Sequence, residues 1–189
     1  MHTQVPPVQS TLSEKLSTNI AAAIAENDGW IGFESYMQMA LYSPGLGYYS
    51  GALPKFGEAG DFITAPEMGE LFGACLAGQV HTALTALAAS SILEFGAGSG
   101  RLAAGLLNTL AAMDVLPDEY LILELSGELR ARQQQTLDEL AGQHAHRVRW
   151  LDTLPESYVG VVLANEVLDA MPVQVFEQQG DEVFELGVA

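Results

Sequence analysis

At 189 residues the chain has the size of one domain, or of one domain with a small extension. Hydrophobic residues at 49 % against charged residues at 16 % exclude an intrinsically disordered chain. Seven basic residues against 24 acidic ones give a formal charge of −17, and no Lys or Arg follows Arg149. Such a surface repels phosphate backbones and argues against nucleic acid as a partner, while it suits a basic protein partner or simply keeps the chain soluble. Cys75 is the one cysteine, so an internal disulfide is excluded and a reducing compartment is expected. Its helical neighbours Phe72, Leu76 and Val80 suggest a packed thiol. No apolar run reaches the length of a membrane span, and the opening Met1–Pro7 has neither the arginines of a transit peptide nor the apolar stretch of a secretory signal. A cytoplasmic protein is the expectation.

After a loose leader over residues 1–10, Thr11 and Glu14 form a capping-box pattern. Leu12, Leu16, Ile20 and Ile24 then predict a helix to about Glu26, ended by Asn27-Asp28-Gly29. A second helix is predicted over Phe33 to Tyr42 and stopped by Ser43-Pro44-Gly45. Residues 43–64 have no period, but their aromatics Tyr48, Tyr49, Phe56 and Phe62 suggest a functional loop. Thr64 with Glu67 makes a second capping box, with Pro66 in the first helical turn, and the helix runs to about Ala88. Its packed residues would be Leu71, Cys75, Val80, Leu84 and Leu87.

The pattern then alternates. Ile92–Phe95 reads as a strand, and Gly96-Ala97-Gly98-Ser99-Gly100 as a turn that lets backbone approach a ligand closely. A helix follows with Leu102, Leu106, Leu110 and Met113 inward, and its free N–H groups suit an anionic or electron-rich ligand. A second strand over Tyr120–Leu123 ends at Glu124. Ser126 caps the next helix, which turns Leu129, Leu137 and Leu140 inward and ends at Gly142. Strands over Arg147–Leu151 and Val159–Ala164 complete a parallel sheet expected to be covered on both faces. Val173–Glu177 and Glu182–Leu186 read as a hairpin around Gly180. The chain thus divides into a helical and lid segment, 1–88, and a Rossmann-like α/β portion with a terminal hairpin, 89–189.

Ligands of such sheets lie beyond the carboxyl ends of the strands. Glu124, 24 residues after Gly100, is placed there to accept hydrogen bonds from both ribose hydroxyls of an adenosine, unless it is an ordinary exposed acid. Asp152 follows the third strand within reach of an adenine amino group. Asn165, Glu166 and Asp169 follow the fourth strand; their side chains either enter the crevice or cap the next segment. Carboxylates there would hold a guanidinium by bidentate bonds and take up its proton. Asp61, Thr64 and Glu67 supply polar contacts in a possible lid, though Thr64 and Glu67 also serve as caps. The scattered His2, His81, His144 and His146 give no metal set.

Glu94-x-Gly96-x-Gly98-x-Gly100 resembles the first motif of class I S-adenosylmethionine-dependent methyltransferases rather than the dinucleotide G-x-G-x-x-G. Together with Tyr42–Tyr49, Gly60–Glu67 and Asn165–Pro172, it is similar to the MidA-like methyltransferases. That family is related to the mitochondrial complex I assembly factor that methylates an arginine. The resemblance implies a class I methyltransferase fold and S-adenosylmethionine as methyl donor. It further implies an arginine-bearing protein as acceptor, for instance a respiratory complex subunit. The backbone of Gly96, Ala97, Gly98, Ser99 and Gly100 would lie along the cofactor's methionine portion, with Glu94 fixing its amino group. Thr64, Pro66 and Glu67 would border the cofactor, and Asp61, Asn165, Glu166 and Asp169 the transfer site. Family members are about twice as long with a seven-stranded sheet, so four strands suggest a fragment whose sheet edge is covered or paired with a second copy. A non-catalytic binding module and a nicotinamide-dependent oxidoreductase are the alternatives.

Overall fold

The computed structural model describes residues 7–50 and 64–189. In chain order its elements are α1 (Pro7–Glu26), β1 (Ile31–Gly32), α2 (Phe33–Tyr42), α3 (Glu70–Leu87), β2 (Ser91–Phe95) and α4 (Arg101–Ala112). There follow β3 (Glu119–Leu123), α5 (Gly127–Leu140), β4 (Val148–Leu151), β5 (Val161–Ala164), β6 (Val175–Gln179) and β7 (Glu182–Val188). Short 3-10 turns cover Ala65–Glu67, Gly142–Arg147 and Leu168–Ala170. The described residues form two compact units, 64–169 and 7–50 with 170–189. Compactness therefore does not follow a boundary at 88: α3 belongs with the sheet it covers, and β6–β7 with the N-terminal helices.

In the 64–169 unit the sheet order is β4-β3-β2-β5, all parallel. Parallel neighbours need crossovers, which α4 and α5 provide. Since β2, β3 and β4 advance in one direction, right-handed crossovers put both helices on the same face. That face carries Ile92, Tyr120, Ile122, Val148, Trp150, Val161 and Leu163, packed with Leu106, Leu107 and Leu110 of α4, Leu137 of α5 and Val80 and Leu84 of α3. The expected cover on both faces is thus drawn, for these three helices, onto one. On the opposite face Leu93 and Leu121 are buried, whereas Val162 on β5 is exposed.

The helix faces differ from the periodicity reading where small residues make the contact. On α3 the buried positions are Gly73, Ala77, Val80 and Leu84. A Cβ on Gly73 would stand 3.7 Å from the backbone of Gly105, so the two helices meet at glycines. Leu71, Leu87 and Cys75 are exposed, which corrects the packed-thiol expectation. Met113 and Leu140 are exposed for a similar reason: each lies at the end of its helix, beyond the packed stripe. The two capping boxes also fail. α1 starts at Pro7, leaving Thr11 inside the helix. Thr64 makes no side-chain cap bond, because Ala65–Glu67 is a separate turn and Gly69, at φ 152°, breaks the chain before α3.

In the other unit β7 pairs antiparallel with both β1 and β6, in the order β1-β7-β6. Gly180, at φ +65°, turns the hairpin. The Tyr42 hydroxyl donates to the Ala170 carbonyl at 2.7 Å, and the Tyr42 and Tyr49 rings stack at 5.6 Å. No helix of the described residues is long and apolar enough to cross a membrane.

One charged residue stands in the apolar face of the sheet. Glu94 aligns with Ile122 and Leu163 on the neighbouring strands and accepts a hydrogen bond from the buried Tyr120 hydroxyl at 2.7 Å. Burial pushes its carboxyl from 4.5 up to about 7, against the opposing pull of the Tyr120 bond. Burial and the facing carboxylate also raise the Tyr120 hydroxyl well above its ordinary value.

Two predictions follow from this packing. Leu137, fully buried, and Leu140, 44 % exposed, lie one turn apart on α5, the second being its last residue. Leu137→Ala should cost about 2–5 kcal/mol in urea unfolding and Leu140→Ala about 0.5 kcal/mol or less; equal costs would refute the packed stripe ending before Leu140. For Glu94, the unfolded chain loses a proton near pH 4.5 that the folded chain keeps to about 7. Stability contributed at this site therefore falls as pH rises through that window and is level above it. Glu94→Gln removes the titration, so the variant should gain on the parent by about 3 kcal/mol between pH 4.5 and pH 8. Parallel stability profiles for the two proteins would contradict a buried, proton-holding Glu94.

Candidate cofactor site

Register assembles the site. Leu151, Leu123, Phe95 and Ala164 stand side by side as the last residues of β4, β3, β2 and β5. The next residue on each chain is Asp152, Glu124, Gly96 and Asn165, so four polar or glycine positions form one row at the carboxyl edge. At about 4.8 Å per strand, the row is about 14 Å long.

Gly96, Gly98 and Gly100 have φ of +58°, +55° and +87°, values that glycine adopts without strain. The turn leaves β2 with the Gly96 N–H bonded to the Leu123 carbonyl at 3.1 Å, and enters α4 where the Ala104 N–H reaches the Gly100 carbonyl at 3.0 Å. Among the described residues, a Cβ on Gly96 would touch within 4 Å only Val167 Cγ2, at 3.5 Å, which leaves room beside this backbone for a ligand. At Gly100 the reason is packing: its Cβ would stand 3.1 Å from the Gln133 Cα on α5. Ser99 donates to Glu67, whose other oxygen lies 3.4 Å from Arg101 Nε. Glu67 is thereby drawn to the turn, while Thr64 and Pro66 of the same segment are half-buried.

Glu124 is buried, yet its carboxylate is well supplied with donors. The Ser126 N–H donates to Oε1 at 2.9 Å and the Gln133 amide to Oε2 at 3.1 Å. Each oxygen keeps an unused lone pair, enough to receive two hydroxyls. Ser126 also caps α5, accepting from the Leu129 N–H at 3.3 Å, as its position predicts. Arg130 joins the ends of β3 and β4: it donates to the carbonyls of Glu124 at 2.6 Å and Leu151 at 2.8 Å, and to Asp152 Oδ1 at 2.8 Å. Asp152 is otherwise exposed.

Beyond β5, Glu166 has φ +52°, a left-handed backbone that a non-glycine residue adopts only at a cost. Its exposed carboxylate receives the Asn165 amide at 3.5 Å. Asp169 is exposed in the Leu168–Ala170 turn, apart from the row. Asp61 lies outside the described residues. The structure thus brings Gly96, Ala97, Gly98, Ser99, Gly100, Glu67, Glu124, Asp152 and Asn165 to one edge. Glu94, two residues before the turn, points instead into the core. The residues not foreseen are Arg130 and Gln133. A polar residue midway between Leu129 and Leu137, on the stripe that α5 turns inward, was the available signal for Gln133.

Comparison with known proteins agrees with this arrangement. A family described as "Putative S-adenosyl-L-methionine-dependent methyltransferase" matches residues 75–189, more than half of the chain. A Burkholderia thailandensis protein, crystallised with S-adenosyl-homocysteine and described as a "likely methyl transferase", is 51 % identical, with a TM-score of 0.91 over 98 % of this chain and 49 % of that one. Proteins named protein arginine methyltransferase NDUFAF7, mitochondrial, are more distant. The Caenorhabditis elegans homologue is 28 % identical over 81 % of this chain and 41 % of its own length, and the human protein 28 % over 81 % and 40 %. The chain therefore spans less than half the length of these relatives. The family match, the close structural likeness and the intact glycine turn lead to one statement: the chain belongs to the S-adenosyl-L-methionine-dependent methyltransferase family.

Proposed function

We propose that this chain binds S-adenosylmethionine at the carboxyl edge of its sheet and serves in methyl transfer to a nitrogen of a protein arginine. The observation that carries the reading is the row Asp152–Glu124–Gly96–Asn165, with a buried, donor-supplied carboxylate beside a turn open to a ligand. Glu124 would hold the ribose hydroxyls and the 96–100 turn the amino-acid portion, with Asp152 toward the adenine. Glu67 would border the same turn. When bound, the cofactor supplies a methyl group on an electrophilic sulfonium.

The acceptor side rests on Asn165 and Glu166. A guanidinium is charged at neutral pH, so its attacking nitrogen must be oriented and relieved of a proton. Glu166 is exposed at the edge, suited to grip such a group and receive that proton, with Asn165 steadying it. The formal charge of −17 favours a basic protein as acceptor, and the names of the relatives above point to the same class. Most of the catalytic effect would come from alignment of donor and acceptor.

Isothermal titration of the chain with S-adenosylhomocysteine tests the cofactor reading. Binding should also raise the melting temperature, by an amount equivalent to about 2.7 kcal/mol at a ligand concentration 100 times Kd. Glu124→Ala should abolish both effects, and NADH should produce neither. No heat with the wild-type chain would defeat the reading. With labelled S-adenosylmethionine and arginine-bearing protein, Glu166→Gln should lower turnover about 100-fold or more while leaving cofactor affinity within about twofold. Cofactor binding without label transfer by the wild-type chain would favour a non-catalytic module instead.

A further inference from the structure

We propose that Gln133 is a positioning residue for cofactor recognition: it locks the glycine turn and the Glu124 carboxylate into one unit that selects a ribose bearing both hydroxyls. The inference rests on the cofactor reading above. Gln133 is completely buried on α5, and its amide has three partners. Its Oε1 accepts from Trp150 Nε1 at 2.7 Å, and its Nε2 donates to the Gly98 carbonyl at 3.2 Å and to Glu124 Oε2 at 3.1 Å.

This geometry fixes which way the amide faces. An indole N–H is only a donor, so the atom opposite it must be the oxygen. The NH2 group is then committed to the two acceptors, a carbonyl of the turn and a carboxylate of the neighbouring strand. Rotating the amide by half a turn would set NH2 against the indole N–H, and oxygen against both a carbonyl and a carboxylate. Trp150, on β4, therefore acts as a key that holds the amide in its working orientation. The Gln133 backbone adds a further constraint, since only glycine at position 100 allows α5 to approach so closely.

The consequence for specificity lies in the lone pairs. With the Ser126 N–H on one oxygen and Gln133 on the other, the Glu124 carboxylate is held in a single plane and offers one remaining acceptor site per oxygen. Two neighbouring hydroxyls match that pair of sites. A sugar lacking one hydroxyl leaves a buried acceptor unsatisfied, and a sugar phosphate meets a like charge. Without Gln133 only the Ser126 N–H holds the carboxylate, its plane is no longer fixed, and the match to two hydroxyls is weakened.

The test uses the full chain and measures Kd for S-adenosylhomocysteine and for its 2′-deoxyribose analogue. The wild type should prefer the natural ligand by at least about tenfold. Gln133→Leu should weaken the natural ligand more than the analogue, bringing the ratio to within about threefold of unity. Trp150→Phe, which keeps the ring but removes the N–H, should move the ratio the same way by a smaller factor and guards against a Gln133 variant that does not fold. Gln133→Glu supplies a readout independent of packing. Its carboxyl donates to Glu124 only while protonated, so affinity should be near wild type at pH 5 and fall at least tenfold by pH 8. If the wild type binds neither ligand, the cofactor reading fails and this inference with it. If it binds with the stated preference and the variants keep the preference at every pH, the cofactor reading stands and the role of Gln133 is refuted.

Discussion

Parallel pairing in a single register makes the residue after each strand a neighbour of the residue after the next. Everything at the carboxyl edge depends on that constraint. Asp152, Glu124, Gly96 and Asn165 are separated by up to 69 positions along the chain (165 − 96), yet they stand in one row because Leu151, Leu123, Phe95 and Ala164 are paired. A slip of one residue in β3 would exchange its faces, turning Tyr120 and Ile122 out of the core and moving Glu124 off the row. The core prevents this: Tyr120 and Ile122 are fully buried against α4 and α5, and their exposure would cost several kcal/mol. Hydrophobic packing on one face of the sheet thus sets the position of a polar row at its end.

Glu94 and Glu124 show how differently two buried carboxylates are treated by the same sheet. Glu94 has a single hydroxyl donor and apolar neighbours, so burial dominates and its proton is retained to about pH 7. Glu124 receives a backbone N–H and an amide N–H, and the adjacent end of α5 presents its positive pole. Those two donors fix the carboxylate in place and leave one acceptor position on each oxygen for a hydroxyl. The difference comes from position: a strand interior offers no free N–H, whereas a strand end followed by a helix offers several.

Much of this was legible in the sequence because its signals were local. The glycine turn, Ser126, Gly142 and Gly180 each act through their own backbone or the next turn, and each stands where the pattern put it. The readings that failed needed knowledge of a partner surface. On α3 the stripe of large residues was read as the packed face, but Gly73 against Gly105 brings the helices so close that Ala77 and Val80 fill the contact and Leu71 and Leu87 remain outside. The Thr64 and Thr11 caps were overruled by Gly69 and Pro7 respectively, one breaking a helix and the other starting it earlier. For Gln133 the spacing carries its inward position but not its partners, and for Arg130 neither: their value lies in which acceptors other strands deliver to them.

The left-handed backbone at Glu166 ties the two halves of the proposed reaction together. Asn165 is one strand spacing, about 4.8 Å, from Gly96 in the row. A chain continuing in extended geometry would carry Glu166 straight out beyond the sheet. Instead the chain turns at Glu166, at φ +52°, and Val167 Cγ2 comes to lie 3.5 Å from where a Cβ on Gly96 would stand. The strained residue is thus the one whose carboxylate would face an acceptor, and its neighbour is the one that walls the glycine turn. On the proposed reading, any change that relaxes Glu166 to an ordinary extended conformation moves Val167 as well. Acceptor orientation and cofactor enclosure are then two consequences of one backbone torsion, which accounts for a costly conformation being kept at this point.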